Sequence, residues 1–157
     1  MGEFAARAVV AAEIEVFLDW FERYWAELES FMDLPDPFSR DEYRHLMQNA
    51  PDHHFWWAEM DGHHVGFCVF TIGQHWYRRD LLDGYVDEFY IAGEARRRGI
   101  GRRLAEAMLT EFRRRGVRVI ELSVLRRNER AQAFWRALGF ETQMLKLAMP
   151  GAVPPPQ

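Results

Sequence analysis

The amino-acid sequence predicts one α/β or α+β domain built around a mixed sheet. Three observations predict it. The chain has 157 residues, 48% of them apolar and 28% charged, which suits one soluble core and excludes a disordered chain. Segments with helical periodicity interleave with short strand-like segments. A two-residue turn signal, Asp61-Gly62, joins two of the strand-like segments as a hairpin.

Two helices are expected before the first strand. Apolar residues recur at three- and four-residue spacing over 11–32, which predicts an amphipathic helix. The stretch Leu34-Pro-Asp-Pro-Phe38 ends it. Ser39, with Glu42 three residues later, is a capping box that predicts a second helix through Asn49.

The hairpin and a third strand form the middle of the chain. Residues 55–60 and 64–72 are the predicted hairpin strands, a loop covers 73–84, and 85–91 is the third strand. The pattern then predicts a helix that begins near Ile100 and ends at Gly116.

The last part of the chain is predicted to alternate between strands and a helix. A strand is expected over 117–124, a helix over 129–138 and a last strand over 142–149. Residues 1–149 are therefore predicted to form a single domain, and the Pro-rich residues 150–157 a disordered tail.

Several classes of protein are excluded by composition. No apolar run approaches the roughly 20 residues of a membrane helix, so no membrane partner is expected. The first residues lack the basic and apolar regions of a secretory signal. The single cysteine, Cys68, excludes a disulfide framework and a thiolate metal site. The predicted location is the cytoplasm.

Charge is distributed unevenly along the chain. The net charge of −4 arises from a balance of −12 over residues 1–92 and +8 over 93–157. This polarity suggests an anion site in the second part and a cation site in the first. Charged helix faces alone would account for it equally well.

A glycine- and arginine-rich turn carries the strongest chemical signal. Arg96-x-x-Gly99-x-Gly101 follows a strand and leads directly into a helix. The first N–H groups of a helix lack carbonyl partners, and the peptide dipoles make that end positive. Glycine lets a phosphate approach the backbone, and arginine adds charge-assisted hydrogen bonds. The turn therefore predicts a cradle for a diphosphate.

A second stretch identifies a family. Asn128-x-x-Ala131-x-x-Phe134-Trp135-x-x-x-Gly139-Phe140 spans another helix that follows a strand. Together with the turn at 96–101 and the strand Tyr85-Val-Asp-Glu-Phe-Tyr-Ile91, it resembles the GNAT superfamily of acyl-CoA-dependent N-acyltransferases over roughly residues 10–148. The resemblance implies a mixed, mostly antiparallel sheet flanked by helices, with a splayed strand pair that holds coenzyme A.

The resemblance also implies the co-substrate, acetyl-CoA, and the residues that hold it. The diphosphate would lie on the turn and the pantetheine arm along the third strand, with Asn128 beside it where two strands splay. Asn128 also suits an ordinary helix N-cap. The implied coenzyme-binding residues are Phe89, Tyr90, Ile91, Arg96, Arg97, Arg98, Gly99, Ile100, Gly101, Arg102, Asn128 and Trp135.

One position departs from the family pattern. The family's Phe-Tyr pair is Phe134-Trp135 here, and an indole N–H cannot protonate the departing thiolate as the tyrosine does. The thiolate could leave unassisted, or Tyr90 or Tyr85 could supply the proton. Trp135 is expected to pack on an apolar helix face.

An attacking amine must lose a proton, which calls for a general base. Glu88 is favoured and Asp87 is the alternative, since strand alternation predicts that they point to opposite faces. Glu59 is a weaker candidate because hairpin pairing places it opposite His64.

The acceptor is expected to be a primary amine of a small, cationic molecule. The loop Gln74-His-Trp-Tyr77 and the first helix pair would frame an aromatic and acidic site. Four acids from the first helix and the segment after it are candidates to attract the cation: Glu27, Glu29, Asp33 and Asp36.

No metal is expected. The pairs His53-His54 and His63-His64 bracket the hairpin, and the predicted register places His54 opposite Val69, far from the second pair.

Three other functions remain open. The chain could be a protein N-acetyltransferase, or a coenzyme-A-binding sensor without activity, which Trp135 favours. An arginine-rich nucleic-acid module is disfavoured by the acidic first part, so no nucleic acid is expected. The resemblance also makes a homodimer plausible.

Overall fold

A computed structural model describes residues 2–152 of the chain as a five-stranded sheet with helices on both faces. The strand order is β1-β2-β3-β4-β5, and every neighbouring pair is antiparallel except β4–β5, which is parallel. This is the mixed, mostly antiparallel sheet that the resemblance implied. The elements are β1 (Phe4–Ala8), α1 (Ile14–Glu29), α2 (Arg40–Asn49), β2 (His53–Met60), β3 (His63–Gln74), β4 (Leu82–Ile91), α3 (Ile100–Arg114), β5 (Ile120–Leu122) and α4 (Glu129–Ala137).

The hairpin forms at the predicted turn. Asp61 and Gly62 both have positive φ, 50° and 78°, which is the conformation that a two-residue hairpin turn requires. A bulge at Ala58 and Glu59 shifts the register of β2 against β3. His54 therefore pairs with Phe70, and the predicted pairing with Val69 is wrong.

The helix ends follow the expected capping residues. The Ser39 hydroxyl accepts a hydrogen bond from the Glu42 N–H at 3.3 Å and begins α2. Gly116 and Gly139 have φ of 72° and 101°, so both take the left-handed conformation with which α3 and α4 end. A short 3-10 turn precedes α1, which ends at Glu29, three residues before the predicted end.

Each face of the sheet carries a core. On one face α3 and α4 pack through a buried set that includes Phe70, Leu104, Met108, Phe112 and Trp135. On the other face α1 and α2 cover a mostly aromatic set, with Phe17, Phe21, Trp57, Phe67 and Tyr90 buried. The two helix layers meet at the end of the sheet where β4 continues beyond β5.

The structure differs from the prediction at three strands. The strand β1 was not predicted; it pairs with β2 at the sheet edge. The strand expected over 117–124 is reduced to Ile120–Leu122. The last strand expected over 142–149 does not form, because none of the described strands pairs with this segment.

The Pro-rich tail predicted for 150–157 lies mostly outside the described residues. Within the described residues, none of the helices combines the length and apolar character needed to cross a bilayer.

Candidate active site

A cavity of about 400 Å³ opens at the end of the sheet between the two helix layers. The last residues of β4 form its floor, the start of α3 and the α4 helix form one wall, and the last turns of α1 form the other. It is lined by Tyr24, Glu27, Leu28, Phe31, Phe89, Tyr90, Ile91, Arg96, Arg97, Gly99, Ile100, Gly101, Arg102, Asn128, Arg130, Ala131, Phe134 and Trp135.

The cavity exists because two parallel strands separate. β4 pairs with β5 only from Gly84 to Val86. Beyond Val86, no strand in the described part of the chain pairs with the β5-facing edge of β4. Asn128 lies across the gap, where its side chain accepts a hydrogen bond from the Ala131 N–H at 3.2 Å. The opening is a site where an extended ligand can lie along a strand edge.

The turn before α3 has the backbone shape of an anion site. Arg97 and Gly99 both have positive φ, 63° and 75°, on either side of Arg98. Such alternation turns successive N–H groups toward one point. The first-turn N–H groups of a helix lack intrahelical acceptors, and in α3 no capping side chain takes their place. A methyl group on Gly101 would meet the Phe134 ring at 3.4 Å, so glycine keeps this part of the cavity open.

Two arginines of the cavity, Arg96 and Arg130, are bound to an acid of α1, and Arg126 nearby is bound to an acid of the following loop. The Arg96 guanidinium donates to the Ile91 carbonyl at 2.8 Å and to Glu27 at 2.6 Å. Arg130 reaches the same Glu27 oxygen at 3.2 Å. Asp33 pairs with Arg126 at 2.7 Å. Glu27 and Asp33, two of the four acids predicted to attract a cation, are therefore paired with arginines in this structure.

A bulge in β4 corrects the prediction for the two acids. The register shifts so that Val69 pairs with Glu88 while Phe70 pairs with Val86, which leaves Asp87 as the extra residue. The Glu88 carboxylate meets α1, and Asp87 lies beside β3 on the same face. Their charges act on each other and on the Tyr43 hydroxyl of α2. The predicted opposite orientation is wrong, because the bulge interrupts the alternation.

Glu88 has the most unusual environment of the site. The Tyr24 hydroxyl donates a hydrogen bond to its carboxylate at 2.5 Å. Burial raises the pKa of the Glu88 carboxyl from 4.5 to about 7, and the negative charges of Asp87 and Asp36 add to this effect. A carboxyl with this pKa exchanges protons near neutral pH, which suits a general base.

The carboxyl of Asp87 lies in a less unusual environment than that of Glu88. The Thr71 hydroxyl donates to its carboxylate at 2.6 Å, and burial raises its pKa. His53 of β2 lies close enough for its charge to act on Asp87, and its Nδ1 is buried without a hydrogen-bond partner among the described residues. Asp87 and Glu88 therefore form an acidic pair under aromatic side chains of α1 and α2, and the exposed Asp36 adds its charge to that acting on Glu88.

Of the two candidate proton donors, Tyr90 and Tyr85, only Tyr90 lines the cavity. Tyr90 is 4% exposed, lines the cavity, and has a pKa raised by burial. The Tyr85 hydroxyl instead lies 2.7 Å from the Ser123 hydroxyl, and Tyr85 does not line the cavity. Trp135 is buried against Phe89, with ring centroids 4.9 Å apart, so it packs as predicted and also forms part of the cavity wall.

Some residues singled out from the sequence do not reach the cavity. Arg98 is the one implied coenzyme-binding residue that does not line it. Glu59 is held by Arg7 at 2.8 Å and lies 3.2 Å from His64, as the hairpin pairing predicted. Trp76 and Tyr77 are 83% and 63% exposed at the opposite end of β4. They do not frame the site.

Sequence reasoning missed Tyr24 and named Glu27 only as an acid of the acceptor site. Together with Leu28 of α1 and Phe31 just beyond that helix, they form one wall of the cavity. Their helical spacing is visible in the sequence, but it predicts only that they share a face. The signal available in the sequence is a tyrosine, Tyr24, one helical turn before an acid, Glu27, on that face. No group of three or more metal-ligating side chains is found among residues 2–152.

The splayed sheet, the glycine turn at the start of a helix and the cavity between the helix layers fit the class of the N-acetyltransferases. The chain belongs to the acetyltransferase (GNAT) family, whose model matches residues 14–140.

Known proteins with similar sequences and folds agree with this assignment. N-alpha-acetyltransferase 30 of Schizosaccharomyces pombe is 32% identical over 108 residues, which is 69% of this chain and 70% of that protein. An aminoglycoside acetyltransferase from an uncultured soil metagenomic sample has the same fold, with a TM-score of 0.75 at 15% identity, over 95% of this chain and 97% of that one. An aminoglycoside N-acetyltransferase in complex with CoA matches with a TM-score of 0.75 at 16% identity, over 96% of each chain.

Proposed function

We propose that this enzyme transfers the acetyl group of acetyl-CoA to a primary amine of a small, cationic acceptor by direct attack in a ternary complex. The observation that carries the proposal is the bulge in β4. It places Asp87 and Glu88 on the face of the strand that α1 covers. Neither acid lines the cavity of about 400 Å³, but Tyr24, which does line it, donates its hydroxyl to Glu88. An acidic, aromatic surface attracts an ammonium group by Coulomb and cation–π interactions.

The coenzyme fits the backbone of the cavity. The N–H groups of Ile100, Gly101 and Arg102 in the first turn of α3 are free to bind a diphosphate, and the Arg97 backbone adds to the cradle. The free edge of β4 at Phe89–Ile91 offers hydrogen bonds to a pantetheine arm. When bound, acetyl-CoA supplies a thioester whose carbonyl carbon accepts the amine.

Glu88 is proposed as the general base. Its pKa of about 7 means that about half of the carboxyl is ionised at neutral pH and able to accept a proton from an alkyl ammonium. Tyr24 holds the carboxylate through its hydroxyl at 2.5 Å, and Asp87 increases the negative potential. Tyr90 is the proposed donor of a proton to the departing thiolate, because its raised pKa keeps the phenol protonated.

A peptide N-terminus is the second candidate acceptor. The observation that favours it is the 32% identity with the N-alpha-acetyltransferase from Schizosaccharomyces pombe. A free α-amine has a pKa near 7.7 to 8.0, so it demands less of a base than an alkyl amine does. An acidic site favours the small cationic amine, and the experiment below tests both.

The nucleic-acid alternative is disfavoured by the pairing of its arginines. Arg114 pairs with Glu111 at 2.7 Å, Arg118 with Asp83 at 2.8 Å, and Arg126 with Asp33 at 2.7 Å. We further propose a cytoplasmic location, because the one cysteine, Cys68, is a buried free thiol.

The proposal is tested in two steps. Calorimetric titration with acetyl-CoA should show micromolar binding that Gly101→Glu abolishes, because the new carboxylate enters the cradle. Gly73→Glu is the matched control, since a side chain there meets nothing within 4 Å. Thiol release is then measured with a polyamine, an aminoglycoside and a peptide with a free α-amine.

Each outcome decides between the functions. Turnover on a polyamine or aminoglycoside supports the small cationic acceptor, whereas turnover only on the peptide supports the second candidate. Acetyl-CoA binding without turnover on any amine would leave a coenzyme-A-binding sensor. Absence of binding to the folded protein would refute the coenzyme site.

A further inference from the structure

The carboxylate proposed as general base does not itself line the cavity. Neither Glu88 nor Asp87 is among the lining residues, whereas Tyr24 of α1 is. The Tyr24 hydroxyl donates a hydrogen bond to the Glu88 carboxylate at 2.5 Å. A phenol oxygen therefore connects the cavity, where the acceptor amine would bind, with the buried acid.

The ring of Tyr24 is held in place by aromatic packing. Its centroid lies 5.5 Å from that of Phe21, 5.5 Å from that of Phe67 and 5.4 Å from that of Tyr90. These contacts fix the direction in which the hydroxyl points. They belong to the ring, so removal of the hydroxyl alone leaves them in place.

The charges around Tyr24 keep its hydroxyl protonated. The titratable groups that act on it are Glu88 of β4 and Tyr43 of α2, and Glu88 is in turn acted on by Asp87 and Asp36. Burial and the Glu88 charge raise the pKa of the Tyr24 hydroxyl well above its usual value of 10. A neutral phenol donates one proton while its oxygen accepts another, so it can pass a proton on.

We propose that Tyr24 is a catalytic residue that passes the proton of the acceptor ammonium to Glu88; the proposal rests on the function proposed above. One N–H bond of the ammonium breaks and its proton goes to the Tyr24 oxygen. In the same step the original Tyr24 O–H bond breaks and its proton goes to the Glu88 carboxylate. The result is a neutral amine, an unchanged phenol and a neutral carboxylic acid, so charge and protons balance.

The remaining steps use the second tyrosine of the cavity. The amine nitrogen bonds to the thioester carbon and the carbon–sulfur bond breaks. Tyr90 gives its proton to the thiolate and takes the surplus proton of the amide nitrogen. Glu88, whose pKa is about 7, then returns its proton to water.

The neighbours of the two tyrosines suit these opposite roles. The hydroxyl of Tyr24 is bonded to a carboxylate, which draws a proton away from the cavity. The ring of Tyr90 instead lies 5.7 Å from the Arg96 guanidinium, and a positive charge beside a phenol favours loss of its proton. The two rings are adjacent, so both hydroxyl groups serve one reaction centre.

Removal of the Tyr24 hydroxyl is the first test. Turnover is measured with whichever of the polyamine, aminoglycoside and peptide the native enzyme acetylates fastest. Tyr24→Phe should lower kcat by about 10² to 10⁴, as expected for loss of the proton acceptor, while acetyl-CoA affinity in calorimetry stays unchanged. Tyr43→Phe is the matched control and should keep native kcat, because it removes a hydroxyl near the same two acids outside the cavity.

A double variant tests whether the two groups act in series. Tyr24→Phe/Glu88→Gln should be no less active than the weaker of the two single variants, because either change alone interrupts the same proton transfer. Losses that multiply in the double variant would overturn the relay, since they would show that the two groups act independently.

The pH profile separates a relay from a purely orienting role. If Tyr24 only oriented Glu88, loss of its hydrogen bond would raise the pKa of the Glu88 carboxyl, and Tyr24→Phe would regain native kcat/KM at pH 9. The relay predicts that the loss persists at pH 9, because an alkyl amine with a pKa of about 10.4 is still mostly protonated there. Recovery at pH 9 would overturn the proposal.

Failure of the relay is distinguishable from failure of the proposed function. Native turnover in a Tyr24→Phe variant that binds acetyl-CoA would overturn the relay and leave the acetyltransferase assignment in place. A native chain that binds acetyl-CoA and acetylates none of the three amines would overturn both.

Discussion

Replacing Glu88 by glutamine should make the protein more stable and less active at the same time. The substitution keeps the shape and the hydrogen bond from Tyr24 while it removes the charge. In the folded protein the pKa of Glu88 is raised from 4.5 to about 7, so the folded state binds this proton more tightly than the unfolded chain does. The free energy of unfolding contributed by Glu88 therefore falls as pH rises from about 4.5 to 7 and is constant above that.

The size of the effect follows from the shift. At 1.36 kcal/mol per pKa unit, ionised Glu88 costs the fold at most about 3 kcal/mol above pH 7. For a domain of this size that corresponds to about 6 to 12 °C in Tm. Loss of a general base should lower kcat/KM by about 10² to 10⁴. In the native enzyme, kcat/KM should rise with pH to a plateau above about 7.

Thermal unfolding measured from pH 5 to 9, with thiol release from acetyl-CoA over the same range, checks both expectations. Glu121→Gln is the control, since it makes the same change at an exposed carboxylate on the neighbouring strand. The difference in Tm between Glu88→Gln and the native protein should be small at pH 5 and largest at pH 8. An unchanged activity, or a difference in Tm that does not grow with pH, would refute the assignment.

Three further predictions concern the coenzyme site. Gly101→Ala should fold normally, because its methyl group meets Phe134 at 3.4 Å, but should weaken acetyl-CoA binding about tenfold in calorimetry. Trp135→Tyr should retain coenzyme affinity and turnover while losing about 1 to 3 kcal/mol of stability in urea unfolding, since the smaller ring leaves a void; a large loss of affinity would mean that the indole contacts the coenzyme. Glu27→Gln should tighten acetyl-CoA binding about two- to fivefold at low salt, because it frees Arg96 and Arg130 from a partly exposed ion pair. Equal or weaker binding would show that Glu27 orients these arginines productively.

The elements that the sequence predicted well carry their own local signals. Asp61-Gly62 is a turn that only positive φ satisfies, Ser39 caps α2 through its own side chain, and the helical stripe from Ile100 ends at Gly116. The glycine turn, predicted as a cradle for a diphosphate, lies in the wall of the cavity, and its backbone shape is likewise set locally. Each of these features depends on residues within one or two turns of one another.

The elements that the sequence did not predict depend on distant partners. β1 is short and rich in alanine, and only its pairing with β2 makes it a strand. The segment after α4 has a good strand pattern, yet a strand forms only beside a free edge. Tyr24 reaches Glu88 across 64 positions of the sequence, so their contact arises from how α1 packs on the sheet.

The extra residue in β4 also changes what one face of this strand carries. Before the bulge Val86 faces α3, and after it Phe89 faces α4 while Tyr90 faces α1. Without Asp87, regular alternation from Val86 would place Glu88 opposite Val69 and leave Phe89 and Tyr90 on these same faces. The bulge therefore adds a second carboxylate to the α1 face while the floor of the cavity stays where it is. Deleting Asp87 should remove that one acid from the strand, whereas inserting a residue after Glu88 would invert every side chain that follows.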